Sequence, residues 1–215
     1  FTGTYNGGNN IIDNYTLPMF GVINNAKISN LVLTDVSITN DVADSSLGAL
    51  VGEMLNGTVT SCNVTATIAV SGTNAKAGGL VGAVTAGTLS DNTVSATVTV
   101  TDSGETVAGG LVGNVTDCTI SNNSVNATVT GADTMGCVSG NGGTLTENAC
   151  HNTAHTHPMG KNEFMLGNLT SVPAITAIAP INAAADVAVT SPITLTFDKP
   201  MDASAITAAN LTVTP

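Results

Sequence analysis

Three stretches of the chain alternate apolar and polar residues with a period of two. Val64, Ala66, Ile68 and Val70 point one way, with Thr65 and Thr67 opposite. Val94, Ala96, Val98 and Val100 repeat this against Ser95, Thr97, Thr99 and Thr101, and Val125, Ala127 and Val129 repeat it against Asn126, Thr128 and Thr130. Such alternation predicts half-buried strands, because successive side chains leave a strand on opposite faces. An apolar residue stands five positions before each stretch: Val59 before Val64, Leu89 before Val94, Ile120 before Val125. Five is odd, so a flat strand would put the two residues on opposite faces, and a bend must lie between them. The residues there, Ser61-Cys62-Asn63, Ser90-Asp91-Asn92 and Ser121-Asn122-Asn123, suit a corner, since Asn and Asp tolerate left-handed backbone.

Each stretch also follows a glycine phrase: Gly48-Ala-Leu-Val-Gly52, Gly78-Gly-Leu-Val-Gly82 and Gly109-Gly-Leu-Val-Gly113. The leucines Leu50, Leu80 and Leu111 fall 30 and 31 residues apart. Met19-Phe20-Gly21 extends the series upstream, and Gly136-Cys137-Val138 extends it downstream, 26 residues after Leu111. Ile28 and Leu145 complete one apolar column, and Cys150 takes the place of Val125 in the last unit. Five units result, starting near Pro18, Leu47, Ala77, Ala108 and Met135. Three short strands per unit of this length predict an all-β fold, a right-handed parallel β-helix of about five coils. At about 4.8 Å per coil the stack is about 24 Å long. The first unit departs from the pattern between Leu31 and Ile38, as a terminal repeat does.

These phrases resemble the GLUG repeat of secreted and surface proteins, over roughly Phe1 to Cys150. The resemblance implies a location and an architecture but no reaction. A second resemblance follows in residues 173–215, which contain Pro173-Ala-Ile-Thr-Ala-Ile-Ala-Pro180, Val187-Ala-Val, Phe197-Asp-Lys-Pro-Met-Asp202 and Asn210-Leu-Thr-Val213. This is similar to the opening part of a bacterial Ig-like domain of the S-layer type. A complete sandwich of that kind takes about 100 residues. The chain is therefore expected to continue, or another chain supplies the missing strands. The domains read as 1–150, a linker or capping loop at 151–172, and an incomplete Ig-like β-sandwich at 173–215.

Composition narrows the function. Charged residues make up 9% of the chain and aromatics 3%, so Thr, Asn and small residues must carry the surface. Net charge is −11, with four lysines and no arginine, which leaves no basic stripe for nucleic acid or an anionic membrane. No apolar run is long enough to span a bilayer. The start at Phe1, inside a strand-turn pattern, reads as a trimmed or mature piece of an exported protein.

Candidate chemistry is sparse. Carboxylates are scattered, with Asp91 and Asp102 on one coil and Glu105 and Asp117 near the next, and no histidine lies among the repeats to activate a serine. The three histidines, His151, His155 and His157, follow Cys150 at a spacing that matches no structural zinc pattern and read as an exposed loop. No catalytic residue, metal or cofactor is expected. Cys137 and Cys150 both fall at core positions of the last unit and form the favoured disulfide, whereas Cys62 and Cys118 lie two coils apart. Sequons for N-glycosylation occur at Asn14, Asn56, Asn63, Asn114, Asn122, Asn126, Asn168 and Asn210. The outward Thr65, Thr67, Thr97, Thr99, Thr128 and Thr130 form a contact face. The expected function is a non-enzymatic extracellular structural protein, self-associating at the cell surface as a layer, sheath or filament. The rival is a monomeric adhesin whose threonine face binds glycans or ice.

Overall fold

The computed structural model describes residues 1–101, 104–150, 175–179 and 194–197. Among them every regular element is a β-strand. A part-coil comes first, with β1 (Thr4–Asn6) and β2 (Ile11–Asp13). The first complete coil holds β3 (Phe20–Ser29), β4 (Val32–Asn40) and β5 (Ser46–Gly48), and the second β6 (Val51–Thr60), β7 (Asn63–Val70) and β8 (Lys76–Gly78). The third holds β9 (Val81–Ser90), β10 (Thr93–Val100) and β11 (Val107–Gly109), and the fourth β12 (Val112–Ser121), β13 (Ser124–Thr130) and β14 (Thr134–Gly136). A closing part-coil carries β15 (Ser139–Asn141), β16 (Thr144–Thr146) and β17 (Ala149–Cys150). In a separate unit, 170–215, β18 (Ile175–Ala179) pairs antiparallel with β19 (Thr194–Phe197).

Coil stacks on coil through parallel pairing in three sheets, ordered β1-β3-β6-β9-β12-β15 (with β16 on β12), β17-β13-β10-β7-β4-β2, and β14-β11-β8-β5. The fold is thus the β-solenoid that the repeats predict, with four complete coils rather than five. The unit from Met135 is too short to close a coil. Residues 1–17, outside the five predicted units, build the first part-coil instead.

Register holds the apolar columns. Ile28, Val59, Leu89, Ile120 and Leu145 stack in line, as do Leu33, Val64, Val94, Val125 and Cys150. All but Leu145 are buried, and each such aliphatic side chain contributes roughly 1.5–3 kcal/mol. One alignment needs correction. Val112 pairs with Ser139, and the Leu111 N–H donates to the Val138 carbonyl at 3.0 Å. Val138, not Cys137, therefore occupies the leucine column, and Cys137 stands level with Gly110. The loop before Thr134 is shorter than its counterparts, which moves the glycine phrase along by one more residue than the sequence spacing suggests.

The predicted corners are sharp. Asn30, Ser61, Asp91, Asn122 and Glu147 all have φ between 53° and 58°. The residue after each corner turns into the core: Leu31, Cys62, Asn92, Asn123 and Asn148, all buried. The three asparagines form a ladder along the stack. Asn92 Nδ2 donates to Asn123 Oδ1 at 2.9 Å, and Asn123 Nδ2 to Asn148 Oδ1 at 2.9 Å. The same oxygens accept the backbone N–H groups of Asn92 and Asn123 at 3.0 Å. The amides also donate to the carbonyls of Val59, Leu89 and Ile120. At Cys62 a sulfur replaces the amide; the Asn92 oxygen still accepts the Cys62 N–H at 3.0 Å.

The second residue of the glycine phrase faces the alternating strand across the core. A Cβ on Gly79 would lie 2.8 Å from the Ala96 methyl and 2.9 Å from Val94 Cγ1. On Gly110 it would lie 2.7 Å from the Ala127 methyl and 2.8 Å from Val125 Cγ1. The two walls therefore approach closer here than any side chain on the glycine permits. One coil on, Cys137 stands at the Gly110 level and Cys150 at the Val125 level. They are joined as a disulfide, with Cα atoms 6.1 Å apart. A position that elsewhere forces glycine against valine thus brings two sulfurs within bonding reach at the end of the stack. Reduction should fray the closing coil alone: amide exchange is expected to rise in β15, β16 and β17 while β6, β7, β9 and β10 stay protected. Closing the 13-residue separation is worth about 3 kcal/mol on the chain-entropy model.

Candidate contact face

The second sheet presents its outward side chains in rows, one residue per coil. Ser37, Thr67, Thr97 and Thr128 make one row. Thr65, Ser95 and Asn126 make the next, and Thr39, Ala69, Thr99 and Thr130 a third. All six threonines singled out from the sequence lie on this face, but the structure divides them. Thr65, Thr67, Thr97 and Thr128 line a shallow groove of about 330 Å³, together with Asp35, Ser95 and Asn126. Thr99 and Thr130 lie outside it, where Thr130 Oγ1 donates to Thr99 Oγ1 at 3.4 Å.

The groove has a cause in the core. Ala66, Ala96 and Ala127 occupy one inward row between the larger residues at 64, 94 and 125 and those at 68, 98 and 129. Opposite Ala96 and Ala127 stand Gly79 and Gly110. Small residues facing each other let the sheet dip inward along that row, so its outer face is concave above Ala66 and Ala96, which line the groove. Asp35 closes one end. It sits in an irregularity of β4, where pairing skips from Leu33–Val64 to Val36–Ala66, with φ of 53°. Alternation alone gives no sign of this residue, because the bulge breaks the period of two.

The remaining candidates are dispersed. Asn14, Asn56, Asn63, Asn122 and Asn126 are exposed, and Asn114 is half-buried and accepts from Asn141 Nδ2 at 3.3 Å. Asn168, Asn210 and the three histidines lie outside the described residues. Cys62 and Cys118 are buried thiols. Burial pushes the Cys118 thiol up to about 12, against an opposing hydrogen bond from the Leu89 backbone, so its sulfur is a poor nucleophile. Among the described residues no three His, Cys, Asp or Glu side chains gather into a metal-binding group.

A bacterial Ig-like domain model matches residues 170–215. The match coincides with the second structural unit. No curated protein and no solved structure matches the chain. A β-solenoid followed in sequence by a bacterial Ig-like module is the build of a bacterial cell-surface protein, and such proteins are typically non-enzymatic.

Proposed function

We propose that this chain is a non-enzymatic, extracellular structural protein, a subunit of a cell-surface layer, sheath or filament that assembles through coil ends and strand edges. The observation that carries the reading is the first part-coil. Its strands β1 and β2 each pair on one side only among the described residues. Beside them Ile11 and Leu17 are 65% and 70% exposed, and Ile12, Tyr15, Leu17, Pro18 and Met19 line an apolar depression. An open parallel edge beside apolar surface is a template for another chain's strands. A contact from one coil end to a different surface on the next copy does not close on itself and builds fibres. The resemblance of residues 1–150 to GLUG repeats and the short Ig-like module agree with a surface assembly, the module offering edges for strand addition.

Negative-stain electron microscopy of the native protein released from cells tests this. Regular fibres or sheets are expected. Isolated particles would overturn assembly and move the second reading, a monomeric adhesin, to first place; the groove on the threonine face favours that reading.

A further inference from the structure

We infer that the groove across β4, β7, β10 and β13 is a binding site for an extended, uncharged polysaccharide strand lying along the stacking axis. The site does not depend on whether the chain assembles.

Direction follows from register. The groove is lined at equivalent positions of successive coils by Thr67, Thr97 and Thr128, and beside them by Thr65, Ser95 and Asn126. It therefore runs across the strands, and its lining repeats every ~4.8 Å. That repeat is comparable to the rise per sugar of an extended glycan, so each coil meets one ring with the same pair of side chains.

Chemistry selects the ligand. Hydroxyls and amides donate and accept, as sugar hydroxyls do. Within the groove these threonine hydroxyls make no hydrogen bond to the protein among the described residues, unlike Thr99 and Thr130 just outside it. Asp35 is the one ionised group in the lining, and no lysine joins it. With a net charge of −11 on the chain, an anionic glycan or a nucleic acid would be repelled. A flat crystal face such as ice fits a flat array, whereas this surface is concave. An apolar peptide would find only Val36, Ala66 and Ala96 to bury against.

The test is calorimetric titration of the unglycosylated full chain with cellohexaose, mannohexaose and xylohexaose, which are extended, and with maltohexaose, which coils. Leaving Asn126 unglycosylated keeps the groove open. Saturable binding of at least one extended probe is expected, with little or none to maltohexaose. Thr97→Lys should weaken it roughly tenfold or more, through lost hydrogen bonds and an obstructed groove. Thr97 is exposed, so the unfolding midpoint should hold. Thr116→Lys adds the same charge on exposed β12 surface away from the groove and should leave binding intact. The proposal is overturned if no extended probe binds, if maltohexaose binds equally well, if Thr97→Lys leaves affinity unchanged, or if Thr116→Lys weakens it equally.

Discussion

Gly110→Val is expected to destabilise the solenoid by about 3 kcal/mol or more, at the upper end of overpacking effects. The first added carbon would already lie 2.7 Å from the Ala127 methyl and 2.8 Å from Val125 Cγ1, with the Cys137 carbonyl closer still. Two of these neighbours belong to the opposite wall and one to the next coil's backbone, so relief requires the coil to widen. Widening would break the register of β12 and β13 with their neighbours. Urea unfolding followed by circular dichroism measures the loss. Gly110→Ala paired with Ala127→Gly should recover part of it, because the two methyls compete for one space, and a double-mutant cycle would report that coupling. Gly21→Ala is the contrasting case. It stands at the last position of the first glycine phrase, yet nothing lies within 4 Å of its added carbon. That change should be neutral, or slightly stabilising through a less flexible unfolded chain.

Asn123→Leu should cost about 4 kcal/mol. Asn123 is the middle rung of the ladder, and its loss leaves the Asn92 N–H, the Leu89 carbonyl and Asn148 Oδ1 without the partners it supplies. A buried polar group left unpaired costs about 1–3 kcal/mol, and the gain from a larger apolar side chain offsets only part of the sum. Asn123→Asp separates shape from hydrogen bonding. The carboxylate keeps the volume but loses the donors, and burial favours its neutral form. Its folded pKa then lies above the unfolded value of about 3.9. The penalty therefore grows as pH rises above about 4 and shrinks below it, where a protonated carboxyl again donates. Unfolding midpoints of this variant should approach those of the parent on acidification. A penalty independent of pH would mean that no charge is buried there.

Much of this architecture was legible because a solenoid writes its register into the sequence. The columns through Ile28 and Val64 follow from spacing, and the left-handed corners from Ser, Asp and Asn at the bends. Coil number was less legible. Residues 1–17 carry no glycine phrase and yet form a part-coil, because a strand can pair by backbone hydrogen bonds without repeating the motif. The asparagines at 92, 123 and 148 read from sequence as corner residues. Corner formation is the work of Asp91, Asn122 and Glu147, one position earlier, while the asparagines themselves turn inward. Only stacking, which sets identical amides one above another, makes their burial favourable.

The candidate face divides in the same way. Period-two alternation determined that Thr65, Thr67, Thr97, Thr99, Thr128 and Thr130 share an outer surface, since strand geometry permits no other arrangement. The sequence by itself also determined the parallel stack, its apolar columns and the poverty of charge on its surface. Only the tertiary structure decided that four of those threonines border a groove, that Asp35 closes it, and that Cys137 meets Cys150 where other coils place glycine against valine. The reason is physical. Direction along a strand is local and follows from the backbone, whereas concavity and cross-core distance depend on which small residues face each other from opposite walls, some 15 residues apart in the chain, as Gly79 faces Ala96 and Gly110 faces Ala127.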